Sequence, residues 1–242
     1  MEPKHNMRSQ NQIDTIKKTF SNPHLVDNFV TPEDIKHLIN LYGSDDPHQP
    51  KVYKNTGPVT LDLHKYLNDP VVDSIMKRIE LVIGKFEMTA GFFFFTDYPH
   101  IIHNDDLFEL PDTTYKAITI PLRLDGESNE AFLCFFDQHY FHGPSKFFNG
   151  EKDIPTYYNK QIYEYNQVDG LLSNGVISDE IYKKYFTHIK RKWLEGLSLH
   201  SVLPWTVGSC LIFDSLQLHC ASDFRKHGIK SKLGISIFTK KL

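Results

Sequence analysis

The sequence changes its hydrophobic period at Lys85, and that change limits the fold more than any other feature. Before it, apolar residues recur every three or four positions, as on one face of a helix; after it they alternate or run continuously, as in strands. Strand-like stretches follow at 86–96, 115–124 (YKAITIPLRL), 130–136 (EAFLCFF), 197–203, 208–214 (GSCLIFD), near 217–220 and at 232–239 (KLGISIFT). Asp125-Gly126 supplies a turn signal between the second and third of them.

Upstream, the signals for a helix start coincide at Thr31-Pro32-Glu33-Asp34: a Thr N-cap, Pro at the first helical position and acids in the first turn. Ile35, Leu38, Ile39 and Tyr42 share one face, and Gly43 is expected to close the helix. Asp69-Pro70 repeats the arrangement, with Val72, Ile75, Met76 and Ile79 as the stripe and Gly84 as C-cap. Both helices are expected to pack on one face of a sheet. Residues 1–20 are polar and read as a disordered lead-in or a short surface helix with no function.

Residues 138–195 break the strand pattern and hold one clear helix, begun by Ser178-Asp179-Glu180 and carrying Ile181, Tyr185, Phe186 and Ile189. A loop this long is read as an insertion, with Tyr157, Tyr158, Tyr163 and Tyr165 as either a substrate lid or an excursion packed on itself. The expected architecture is one domain over 1–242, mainly β with flanking helices (α+β). Residues 1–84 form a helical support and 85–242 a core of about eight strands, the count of a jelly-roll or cupin-like barrel.

Composition narrows the partners. Net charge is −3 and the Lys and Arg residues are spread along the chain, so nucleic acid is not expected as a partner. Cys134, Cys210 and Cys220 lie in apolar or strand-like stretches without the spacing of a disulfide framework or zinc knuckle, as core cysteines of a reducing compartment would. The polar start MEPKHNMRSQNQ has no apolar signal region, and no window approaches 18 apolar residues, so no membrane role is expected and the protein reads as soluble, intracellular and cytoplasmic. Eighteen Phe and twelve Tyr favour strands and aromatic-lined pockets.

The chemistry concentrates in Gly91–Asp106, GFFFFTDYPHIIHNDD. His103 and Asp105 end an aromatic strand, where residues two apart point the same way, so an imidazole and a carboxylate reach one metal from a single element. An H-x-D triplet by itself says little, since roughly one is expected by chance in a chain this rich in His. A facial triad of two His and one carboxylate needs a third ligand. His219, after the strand GSCLIFD, is the first candidate, with His200, His227 and His188 behind it. The Phe92–Phe95 run reads as core packing, and Tyr98 and His100 as pocket lining.

The order strand, H-x-D, strand, long insertion, G-S-x-L-I-F-D, His, then K-L-G-I-S-I-F resembles the iron(II)/2-oxoglutarate-dependent dioxygenase superfamily over roughly residues 85–242. The resemblance implies a double-stranded β-helix, Fe(II) held by His103, Asp105 and His219, 2-oxoglutarate as co-substrate, and O2. It implies oxidation, usually hydroxylation, of a small molecule or peptide side chain with release of succinate and CO2. A basic residue that pairs with the distal carboxylate of 2-oxoglutarate matches Lys232 at the start of the last strand, or else Lys116 on the strand after H-x-D. Thr119 and Ser236 are weaker candidates for contacts to the same co-substrate. The competing readings are a non-catalytic metal-binding barrel and a carbohydrate-binding jelly roll.

Overall fold

The computed structural model describes residues 8–44, 59–106, 114–143, 168–173 and 177–242. Four helices occur among them, α1 Gln10–Lys17, α2 Pro32–Ser44, α3 Pro70–Ile83 and α4 Asp179–Tyr185. The strands are β1 His24–Val26, β2 Val59–Asp62, β3 Phe86–Thr96, β4 Thr114–Gly126, β5 Phe132–His139, β6 Leu199–Pro204, β7 Cys210–Asp214, β8 Gln217–Ala221 and β9 Ile229–Lys241. They form a large antiparallel sheet in the order β1-β7-β4-β9-β3-β2 and a small one in the order β6-β5-β8.

The segment 100–105 extends the small sheet. The His103 amide donates to the His219 carbonyl and the His219 amide to the His103 carbonyl, both at 2.9 Å, while the Ala221 amide donates to the His100 carbonyl at 3.2 Å. With that segment included, the chain visits the sheets in the order large, small, large, small, small, large, small, large. This is a double-stranded β-helix, and its ends are the places where the chain crosses between sheets.

The helices form where their caps lie. Asp69 accepts from the Val71 and Val72 amides with Pro70 at the first position, and Gly84 ends α3 at a φ of 81°, a conformation open to a residue without Cβ. The Thr31 hydroxyl accepts from the Asp34 amide at 3.1 Å to begin α2. That helix continues through Gly43 to Ser44, so Gly43 lies in its last turn and does not close it.

Leu38, Val72, Ile75 and Ile79 are fully buried against Ile118, Ile120, Ile235 and Ile237 of the large sheet. Truncating any of these to Ala costs about 2–5 kcal/mol. The opposite face of that sheet meets the small sheet through Phe94, Ala117, Leu133, Phe135, Trp205, Phe213 and Phe238. The outer face of the small sheet packs Phe136, Leu218 and Cys220 beneath Phe186, Ile189 and Trp193 of the insertion. Both faces of each sheet are therefore buried, which is why the strands read as continuous apolar runs.

The polar start contains α1, the short surface helix that is one of its two sequence readings, begun by a capping box between Ser9 and Gln12. Two features differ from the sequence reading: Arg8, ahead of that helix, lies in the interior at 7% exposure, and the large sheet has two further strands. Short strands β1 and β2 extend the large sheet at both edges. Ser178 caps α4 as expected, whereas the Tyr157–Tyr165 cluster lies outside the described residues.

Candidate metal centre and co-substrate pocket

His103 and His219 face each other because their backbones exchange both hydrogen bonds, which places the two side chains on one face of the small sheet. Their ring centroids are 4.3 Å apart. Asp105 follows two residues after His103, and its amide donates to the Ser215 carbonyl at 2.7 Å. One ligand atom from each of His103, Asp105 and His219 lies within 4.8 Å of the others, and no other such group occurs among the described residues.

The imidazoles are oriented from behind. Nδ1 of His103 donates to the Ile101 carbonyl at 2.6 Å, and Nδ1 of His219 donates to the Gln217 carbonyl at 2.9 Å. A carbonyl can only accept, so each ring bears a proton on Nδ1 and directs Nε2 toward Asp105. The two Nε2 atoms lie 3.8 and 3.4 Å from the carboxylate oxygens of Asp105. Two imidazoles and a carboxylate gathered at one point beside a cavity match a metal bound on one face. His188, His200 and His227 take no part, and His227 is bound instead by Glu130 at 2.7 Å.

The loop that carries the ligands is held by the residues between and after them. Asn104 donates to the carbonyls of Tyr140 and Gly143 at 3.0 and 3.1 Å. Asp106 takes a two-pronged ion pair from Arg8, at 2.6 and 2.8 Å, with side chains only 3% and 1% exposed. Arg8 also donates to the Phe141 carbonyl at 2.7 Å, and Thr114 donates to Asp106 at 2.9 Å. Sequence reasoning missed Arg8, because nothing local marks a residue whose partner lies 98 positions away.

The triad opens into a cavity of about 270 Å³ lined on the large-sheet side by Phe92, Phe94, Thr119, Lys232 and Ser236, with Trp205 also lining it. Tyr98 and His100 also line it. Half of the Phe run therefore belongs to the pocket, while Phe93 packs under the helices. Thr119 and Ser236 are direct partners across β4 and β9.

The two lysines separate. Lys232 is 3% exposed, its ammonium lies 4.0 Å from the Trp205 ring centre and 4.8 Å from that of Phe224, and it makes no hydrogen bond or ion pair among the described residues. Burial pulls this ammonium down from 10.5 to about 7, against the smaller opposing influence of Cys134 and Cys220. Lys116 lies outside the cavity. Its ammonium is bound by Asp214, by the Ser21 hydroxyl at 2.8 Å and by the Thr19 carbonyl at 3.0 Å. The expectation that Lys116 rivals Lys232 is corrected by strand parity: Lys116 is three residues from Thr119, so the two point to opposite faces of β4.

No protein-family model matches this chain, and no curated protein matches it. Among solved structures, it is similar to the non-heme alpha ketoglutarate dependent epimerase SnoN from nogalamycin biosynthesis, at 10% identity and a TM-score of 0.49 over 96% of this chain and 82% of that one. HygX from Streptomyces hygroscopicus, with nickel and 2-oxoglutarate bound, aligns at 11% identity and a TM-score of 0.47 over 97% and 87% of the two chains. A Pseudomonas putida prolyl-4-hydroxylase aligns at 10% identity and a TM-score of 0.48 over 96% and 98%. The double-stranded β-helix itself follows from this chain's own strand order.

Proposed function

We propose that this protein is an iron(II)- and 2-oxoglutarate-dependent oxygenase that hydroxylates a small molecule or a peptide side chain. One observation carries the reading: the His103, Asp105 and His219 ligand atoms share a cavity with a buried lysine ammonium that has no anionic partner among the described residues. An unpaired ammonium in an apolar site is costly, and a ligand carboxylate removes that cost. A sugar-binding jelly roll has no use for such a cation, and a purely structural metal site has no use for open positions.

In this reading His103, Asp105 and His219 hold Fe(II), and Lys232 holds the distal carboxylate of 2-oxoglutarate. Thr119 and Ser236 flank that carboxylate as hydroxyl donors. When bound, the iron and the keto acid supply oxidation by O2 with release of succinate and CO2. The protein's own residues keep the three ligands on one side through the carbonyls of Ile101 and Gln217. Arg8 and Asn104 keep the ligand loop from shifting, and Phe92, Phe94, Trp205 and Phe238 exclude water from the cavity.

Anaerobic titration with Fe(II) and 2-oxoglutarate tests this. Wild type is expected to develop the visible metal-to-ligand charge-transfer absorption of the chelate, and His103→Ala or His219→Ala to lack it. Its absence from wild type, or its persistence in both variants, refutes the assignment. Succinate formation across panels of amino acids, peptides, lipids and nucleosides then identifies the substrate.

A further inference from the structure

Resting on that co-substrate reading, we infer that the substrate half of the cavity lies between Phe92 and Phe94 on one side and Tyr98 and His100 on the other, is entered past Thr60, and takes an uncharged apolar group. The register of the large sheet separates this half from the other. On the cavity face, Thr119 of β4 is opposite Ser236 of β9, and Ser236 is opposite Phe92 of β3. In the neighbouring row Gly234 of β9 is opposite Phe94, and Phe94 is opposite Thr60 of β2. The hydroxyls and the ammonium assigned to the co-substrate thus stand on β4 and β9, the phenyl rings on β3 and Thr60 on the edge strand. Each strand lies about 4.8 Å from the last.

Both walls are aromatic. A Cβ built on Gly234 would meet Cε1 of Phe94 at 3.2 Å, so that ring leans over β9. Phe92 is only half-buried and lines the cavity, with its ring centre 5.5 Å from that of Phe238. Apolar surface left open inside a cavity is covered at a gain when an apolar ligand binds. The facing wall steps away from the metal centre ring by ring: His100 is 5.8 Å from His103, and Tyr98 is 5.5 Å from His100, centre to centre. The Thr96 hydroxyl donates to the Tyr98 carbonyl at 2.9 Å and accepts from the Tyr98 amide at 3.4 Å, which fixes the turn that carries this wall. Thr60 is exposed and yet lines the cavity, which places it at the mouth.

Charge decides the class of group that fits. Among the described lining residues, the triad and Lys232 aside, the carboxylate left is that of Asp106, and Arg8 neutralises it. Asp62, two residues along β2 from Thr60, is engaged by His64 at 2.9 Å. A charged substrate group entering this half would give up its hydration and meet no counter-ion, whereas an apolar group has no such hydration to lose.

The test reads proximity to the metal and needs no turnover. Mn(II), bound in place of iron with 2-oxoglutarate at saturation, speeds the nuclear relaxation of protons on any small molecule lodged beside it. Benzyl alcohol, benzylamine, benzoate and myo-inositol are compared at equal concentration. The first three share a ring and differ in charge, and the fourth is uncharged but polar. Benzyl alcohol is expected to show an enhancement about tenfold greater than each of the others. Thr60→Trp, which narrows the mouth from an exposed position, should abolish that excess while calorimetric affinity for 2-oxoglutarate stays within about twofold of wild type. If wild type binds 2-oxoglutarate and benzyl alcohol is enhanced no more than the other three, the inference is overturned while the co-substrate reading stands. Undiminished enhancement in Thr60→Trp overturns entry past Thr60. Should Thr60→Trp also lose 2-oxoglutarate, Phe92→Asn takes its place, and undiminished enhancement there overturns the aromatic wall. If wild type fails to bind 2-oxoglutarate, both readings fall together.

Discussion

Replacing Lys232 by Met should make the unliganded protein more stable while abolishing its affinity for 2-oxoglutarate. The ammonium falls from 10.5 to about 7 in the folded chain because it is buried. Between those values the unfolded chain binds the proton more tightly, so stability rises with pH across that window, the reverse of a lysine that gains a partner. At pH 7 the burial destabilises the fold by about 4 kcal/mol, at 1.36 kcal/mol per pH unit. Stacking on Trp205 and Phe224 returns about 2 kcal/mol, which Met forfeits. The net gain expected for Lys232→Met is therefore about 2 kcal/mol, or a rise in melting temperature of roughly 4–8 °C for a chain of this size. Differential scanning calorimetry of the metal-free protein measures it. The pH dependence carries the proof: the advantage of Met should be largest near and below pH 7 and should shrink by pH 9.5, where folded Lys232 is neutral and the remaining penalty is only about 1 kcal/mol. A lower melting temperature for Lys232→Met at pH 7, or a pH-independent difference, would refute the claim that this cation awaits an anion.

Further outcomes follow from the same geometry. Because binding a carboxylate requires the protonated Lys232, 2-oxoglutarate affinity measured by calorimetry should fall as pH rises above 7, by roughly 50-fold between pH 7 and 9, with proton uptake on binding. Lys116→Met should leave that affinity unchanged and yet lower stability by about 3–5 kcal/mol in chemical denaturation, since it strands the buried carboxylate of Asp214. Arg8→Ala strands Asp106 in the same way, and the loop of Asp105 should lose order; metal affinity measured by competition with a chelator is expected to drop, about 10- to 100-fold if the loop behaves as an outer partner of a metal ligand.

How much of this was legible in the sequence depends on the distance over which each signal acts. The change of period at Lys85, the caps at Thr31, Asp69 and Ser178, and the strand 86–96 all rest on residues within four positions of one another, and the structure reproduces them. The order of the candidate ligands was also legible, since His103 and Asp105 are two apart and His219 follows a readable strand. Thr119, Ser236 and Lys232 are brought into one cavity with them. What the sequence could not express was pairing across the fold. Lys116 and Lys232 look alike as letters on strands, and only strand parity with the packing of residues 19–21 commits one to Asp214 and turns the other into the pocket. Arg8 is one polar residue in a polar start, and its meaning depends on Asp106 arriving from another element.

The sequence by itself thus determined the elements, because helix and strand are decided by local periodicity and capping, and it supplied the residue types that a metal requires. Tertiary structure alone decided which cation lines the cavity and which is paired with Asp214. The physical reason is that the free energy of a buried charge or donor depends on what surrounds it in space, and those surroundings come from strands brought into register over more than a hundred residues of chain.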